Sequence, residues 1–217
     1  MPLLLLDLDN TLVDRDTAFC DAVAEFLAAY DLPRSELTWI RGLDEGGYAP
    51  RAQVAAAMNR RYGPAVPATA VQSLLDGGGD DRVTVAESTR EALEKAHAAG
   101  WVSVIVTNGT TAQQESKIRI TGLDRLVRAW VVSEAVGHKK PEPEIFHAAA
   151  RAAGQPLTGA WMVGDSAHAD IAGANALGLL SVWVSNGRIW TEESHRPTHV
   201  AAHVGAAVEH VVGTLSA

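Results

Sequence analysis

The run Leu3-Leu4-Leu5-Leu6, followed at once by Asp7-Leu8-Asp9, constrains this chain more than any other stretch. A short, unbroken apolar run reads as a strand buried on both faces, the pattern of a parallel sheet. Two aspartates spaced i, i+2 at a strand tip point to the same side. In open α/β sheets, ligands bind beyond the carboxyl ends of the strands. Two carboxylates held there repel each other unless a cation or a shared proton relieves them. Mg²⁺, a hard cation, suits oxygen ligands of this kind. The plainer alternative is a polar turn leaving a strand, where Asp, Asn and Thr are common.

Downstream of residue 84, strand and helix patterns alternate. Apolar runs at 102–106, 130–132, 161–163 and 180–184 read as strands, and the stretches 111–120, 142–153 and 169–177 read as helices. Ser88 with Glu91 has capping-box spacing at the start of another helix. This order predicts a Rossmann-like α/β core, a parallel sheet with helices on both faces. Between the first strand and this core nothing reads as a strand. Helical patterns cover 17–30, with Asp16 or Thr17 as its cap, then 37–40, 51–62 and 69–75. Gly42, Gly46, Gly47 and Pro50 mark a loop, and Asp76-Gly77-Gly78-Gly79-Asp80-Asp81 is the most linker-like stretch. The expected organisation is a core of residues 1–14 and 81–217 carrying a small all-helical cap at 15–80.

Length and charge set outer limits. The 217 residues are ample for one sizeable core with an insert. A net charge of −8 with no dense basic run disfavours nucleic acid as a partner. The single cysteine, Cys20, cannot form an internal disulfide. The leucine run is too short for a signal peptide or a membrane span. A cytoplasmic protein without a membrane partner is the expectation, as a monomer or homodimer. Trp101, Trp130 and Trp161 each open a predicted strand, so they should cluster at the amino end of the sheet. Packing beneath the sheet explains them, and an oligomer contact is the alternative.

Four polar clusters follow predicted strands or open helices: Asp7 to Thr11, Thr107-Asn108-Gly109, Lys140-Pro141 and Gly164-Asp165-Ser166 with Asp170 beyond. Each alone admits a plain role: turn, solvated lysine, or helix cap. Together, in this order, they share one edge of a parallel sheet. The set resembles the haloacid dehalogenase superfamily, in the subfamily whose helical cap lies between the first and second motifs.

That resemblance implies a hydrolase acting on a small phosphorylated metabolite with Mg²⁺. Asp7 would be the nucleophile, forming an aspartyl-phosphate. Asp9 would protonate the leaving oxygen and then activate water, while its backbone carbonyl ligates the metal beside Asp7 and Asp165. Thr107, Asn108 and Gly109 would bind the phosphoryl oxygens, Lys140 would add fixed positive charge, and Asp170 would orient Lys140 or a metal-bound water. The acid at Asp9 favours phosphoryl transfer over halide displacement. The absence of lysine from residues 15–80 argues against the Schiff-base chemistry of the family's phosphonatases. His168 departs from the family pattern, as either a surface residue or a metal neighbour that favours Mn²⁺. In the cap, Arg41 and Arg51 are candidates for a second anionic group of the substrate, with pairing to Asp44 or Glu45 as the alternative. With six arginines against eight acidic residues between Arg15 and Gly79, the cap disfavours a large polyanion. A sugar-phosphate mutase and a non-catalytic regulatory module are the other readings of the same fold.

Overall fold

The structure, a computed structural model, describes residues 1–214. Its sheet contains β1 (Leu3–Leu6), β2 (Val102–Thr107), β3 (Ala129–Val132), β4 (Trp161–Gly164), β5 (Leu180–Val184) and β6 (His199–Ala201). All neighbours pair parallel, in the order β3-β2-β1-β4-β5-β6. The all-parallel, Rossmann-like sheet is the one expected from the alternating patterns, and the structure supplies its strand order. Its central strand is the leucine run, buried along its whole length. Leu5 pairs with Val104 on one side and Met162 on the other. Burying such a leucine contributes roughly 2 kcal/mol. β6 was not anticipated, because three residues with one buried side chain carry no readable periodicity.

The chain divides into two compact units, Asp14–Val83 and Met1–Val13 with Thr84–Ala217. The first unit is built from α1 (Arg15–Ala29), α2 (Glu36–Asp44), α3 (Arg51–Tyr62) and α4 (Ala68–Gly77). Its core gathers Phe19, Val23 and Leu27 of α1 against Ile40, Met58, Val71 and Leu75. The cap of α1 is Asp14 rather than Asp16 or Thr17, and its carboxylate accepts from the Thr17 N–H at 3.0 Å. The expected loop around Gly42 is helix: α2 runs through Arg41 and Gly42 to Asp44, and the chain turns only at Glu45, where φ is 51°.

The larger unit adds α5 (Glu87–Ala98), α6 (Thr111–Ile120), α7 (Ser133–Val136), α8 (Pro143–Ala153), α9 (Gly173–Ala176) and α10 (Val204–Gly213). One face of its sheet, with Leu3, Leu5, Val104, Val106 and Met162, packs on Ile145, Phe146 and Ala149 of α8. α5 packs on β2 and α10 on β4. The capping box at Ser88 and Glu91 does not form: Ala86 occupies the cap position of α5 and makes no side-chain bond. Nor do the three tryptophans share one end of the sheet. Trp101 and Trp161 are buried, whereas Trp130 pairs with Ile105 within β3 and its indole donates to Glu115 at 3.2 Å. Among the described residues no helix is long and apolar enough to cross a membrane.

A buried charge cluster ties the helices of the smaller unit together. Asp44 and Arg15 are 1% and 3% exposed and form a bidentate pair, with Arg15 Nη2 donating to Oδ1 at 2.9 Å. Arg51 Nη1 donates to the same Oδ1 at 2.6 Å. Breaking a buried pair by removing one partner is costly because the other charge stays desolvated. Asp44→Ala should therefore lower stability by about 3 kcal/mol or more, read from the chemical denaturation midpoint.

Candidate active site

The strand order reverses direction at β1, and the tips of β1, β2 and β4 carry Asp7, Thr107 and, one residue on, Asp165. Such a switch point is where open α/β sheets bind ligands. Asp7 leaves β1 with its N–H still bonded to Val163 O at 2.9 Å, so its carboxylate is fixed by the sheet itself. Lys140 Nζ donates to Asp7 Oδ1 at 2.6 Å and to Asp170 Oδ1 at 2.7 Å. The hydroxyl of Thr11 donates to Asp7 Oδ2 at 3.1 Å.

Lys140 is placed from behind by Asn108. The Asn108 amide accepts from the Lys140 N–H at 2.8 Å and donates to the Lys140 carbonyl at 3.0 Å. This differs from the expected contact to substrate, because the side chain is committed to another backbone. Gly109, also expected at the phosphoryl group, donates its N–H to Ser133 Oγ at 3.0 Å. Thr107 is 1% exposed, and its Oγ1 accepts from Gln114 Nε2 at 2.5 Å.

Asp165 and Asp170 are supplied by the tip of β4 and the π-helical turn Ala167–Ala172 that follows. Ser166 opens that turn, its Oγ accepting from the Ala169 N–H at 3.1 Å and its own N–H donating to Asp170 Oδ2 at 3.0 Å. Glycine is required at 164, since a Cβ there would collide with the Asp170 carboxylate. Arg188 donates to Asp165 Oδ2 at 3.0 Å, while Asp165 Oδ1 is buried with no partner. His168 sits exposed on the turn and outside the carboxylate group. That placement agrees with its reading as a surface residue.

Oxygens of Asp7, Asp165 and Asp170 lie within 4.8 Å of one another. Burial pushes the Asp7 carboxyl up to about 7, against the pull of Lys140 and with the help of the Asp170 charge. Burial, then the charges of Asp7 and Asp170, push Asp165 up to about 8, with Arg188 opposing. Burial alone would lower Lys140, but Asp170 and Asp7 outweigh it and raise its pKa. Carboxylates thus outnumber the cations buried with them. An all-oxygen donor set with one unpartnered buried oxygen fits a hard divalent cation.

Asp9 points to different partners. Lys117 Nζ lies 2.8 and 3.1 Å from its two oxygens, and Gln114 Nε2 donates to Oδ2 at 2.9 Å. Neither residue was anticipated from sequence, nor was Arg188. The available signal was the inward face of α6, where Gln114 and Lys117 stand at helical spacing and are 1% and 5% exposed. Buried polar side chains on such a face are the informative exceptions. In the smaller unit Arg51 is engaged by Asp44, and Arg41 is exposed with Nη2 3.9 Å from Asp16.

This chain is similar to several named proteins. The glyceraldehyde 3-phosphate phosphatase of Pyrococcus furiosus is 34% identical over 99 residues, 46% of this chain. The chain spans less than half the length of that relative, 41%. The phosphoglycolate phosphatase of Mesorhizobium japonicum is 29% identical over 212 residues, covering 94% of this chain and 92% of its own. The magnesium-bound HAD-hydrolase YfnB of Bacillus subtilis shares the fold with a TM-score of 0.82 at 21% identity, covering 100% of this chain and 99% of its own. A sequence model for haloacid dehalogenase-like hydrolases matches residues 4–184, a span that contains all four polar clusters. With most of its length matched, from β1 to β5, the chain belongs to the haloacid dehalogenase-like hydrolase family.

Proposed function

We propose that this chain is a phosphatase that hydrolyses a small phosphate monoester through an aspartyl-phosphate on Asp7, with Mg²⁺ as its cofactor. The observation that carries this reading is the buried pair of Asp7 and Lys140, with Asp9 two residues along and the unpartnered Asp165 oxygen beside it. Asp7, Asp165 and the backbone carbonyl of Asp9 would hold the metal. When bound, Mg²⁺ supplies positive charge that offsets repulsion between carboxylate and phosphate.

The rest is done by side chains. A carboxylate oxygen of Asp7 forms a bond to phosphorus as the bond to the leaving oxygen breaks. Asp9 gives its proton to that oxygen. Water then attacks phosphorus, Asp9 takes the water's proton, and the Asp7–phosphate bond breaks to release inorganic phosphate. Lys140 stabilises charge on the phosphoryl oxygens, and Asp170 holds Lys140 in place. Thr107 contributes its hydroxyl. Asn108 acts by positioning Lys140, and Gly109 leaves room for Gln114, which donates to Thr107. The phosphatases named above act on small molecules by name, in keeping with a small metabolite and a net charge of −8. The helical unit is read as a cap that excludes water, with Arg41 as its better candidate for a second anionic group, since Arg51 is committed to Asp44. A cytoplasmic setting suits such a substrate.

Phosphate release from 4-nitrophenyl phosphate should require Mg²⁺, stop with chelator, and fall on the order of a thousandfold or more in Asp7→Asn. Activity that survives Asp7→Asn would overturn the nucleophile assignment.

The raised carboxyls also set a pH dependence. Their folded values, about 7 and about 8, lie above the ordinary 3.8, so the folded protein binds protons that the unfolded chain does not. Their contribution to stability is full below the ordinary value and is lost as pH rises through about 7 to 8. Metal-free protein should therefore lose thermal stability progressively as pH rises from 3.8 to about 7 to 8, and Mg²⁺ should restore it. Calorimetry in buffers of different ionisation enthalpy should show proton release on Mg²⁺ binding. Because both carboxyls must give up a proton, affinity should rise by up to about a hundredfold per pH unit below neutrality and less steeply between about 7 and 8.

A further inference from the structure

We propose that Lys117 and Gln114, on the inward face of α6, are positioning residues that hold the Asp9 carboxylate for proton transfer and couple it to Thr107. The inference rests on the reading of Asp9 as proton donor and base. It goes beyond that reading by assigning two buried side chains that the four polar clusters do not contain.

Two buried side chains grip Asp9 and leave part of it exposed. Lys117 is 5% exposed, an uncommon state for a lysine unless it is paired. Its Nζ reaches both Asp9 oxygens, at 2.8 and 3.1 Å, so the carboxylate cannot rotate without breaking a charge-assisted bond. Nζ also donates to Gln114 Oε1 at 2.9 Å. An ammonium has only donors, so the Gln114 atom facing it must be the carbonyl oxygen. That fixes Nε2 towards Asp9 Oδ2 at 2.9 Å and Thr107 Oγ1 at 2.5 Å. Gly109, with φ at 148°, permits this approach, since a Cβ there would press on Gln114 Cγ at 2.9 Å.

The arrangement answers an electrostatic difficulty. Asp7 already has Lys140, which it shares with Asp170. Asp9 adds another negative charge two residues away, and Lys117 is a separate cation paired with it. Held on two sides by Lys117 and Gln114, Asp9 keeps one orientation through both halves of the reaction. It loses its proton to the leaving oxygen as the phosphorus–oxygen bond breaks. It regains one from the attacking water. A mobile carboxylate would meet neither oxygen reliably.

A test exploits the leaving group. An alkoxide needs its proton in the transition state, whereas 4-nitrophenolate leaves without one. Values of kcat/KM would be compared for 2-glycerol phosphate and 4-nitrophenyl phosphate, with the full chain and Mg²⁺. Asp9→Asn should lower the alkyl value about a hundredfold more than the aryl value. Lys117→Met should show the same split, Gln114→Leu a smaller one, and Lys117→Arg should recover most of the loss. Lys117→Met placed on Asp9→Asn should add less than about twofold, because it acts through Asp9. Equal losses on both substrates, or a full additional loss in the double variant, would make Lys117 merely structural and overturn the proposal. If Lys117→Met does not fold, Gln114→Leu decides, and a folded variant without the split is equally fatal. If Asp9→Asn shows no split, the proton-transfer reading fails and the positioning proposal fails with it.

Discussion

Everything at the carboxyl edge of the sheet depends on one buried lysine between two carboxylates. Lys140 touches Asp7 and Asp170 at 2.6 and 2.7 Å, and all three are nearly inaccessible to water. Water would otherwise solvate each charge, so only their mutual contacts make burial tolerable. The balance is incomplete, because Asp165 lies in the same group and the half-exposed Arg188 meets only one of its oxygens. Burial first, and then the neighbouring carboxylates, raise Asp7 and Asp165, and a divalent cation would favour their charged forms.

Such a cluster needs a scaffold that does not yield. Parallel strands supply it, since each strand tip is anchored by ladder bonds up to the residue that carries the functional group. Asp7 is still bonded to Val163, and Asp165 receives the Trp183 indole on its carbonyl at 2.8 Å. Asn108 then transmits the position of β2 to the backbone of Lys140. Some residues near the chemistry thus serve the lysine or the aspartates rather than a ligand.

Much of this was legible in advance. The leucine run, the alternation of strands and helices and the helical insert each follow from periodicity, which local sequence records directly. The four clusters are legible because strand tips in a parallel sheet share an edge. Other features were not. Gly42 sits inside α2 despite its low helix propensity, because packing of Ile40 and pairing of Asp44 outweigh a cost near 1 kcal/mol. Asp14, not its neighbours, caps α1, and no bond forms where Ser88 and Glu91 have capping-box spacing. These are choices among adjacent candidates that local sequence offers equally.

The sequence by itself determined that the leucine run is a strand buried on both faces and that carboxylates gather at the strand tips. Those properties depend on residue type and spacing, and both are local. Tertiary structure alone decided who partners whom: Lys117 and Gln114 for Asp9, Arg188 for Asp165, Asn108 for Lys140, and Asp44 for Arg15. A buried polar side chain takes the partner that the fold brings within hydrogen-bonding distance. Sequence separations as large as 108 residues, from Asp9 to Lys117, leave no local trace of that choice.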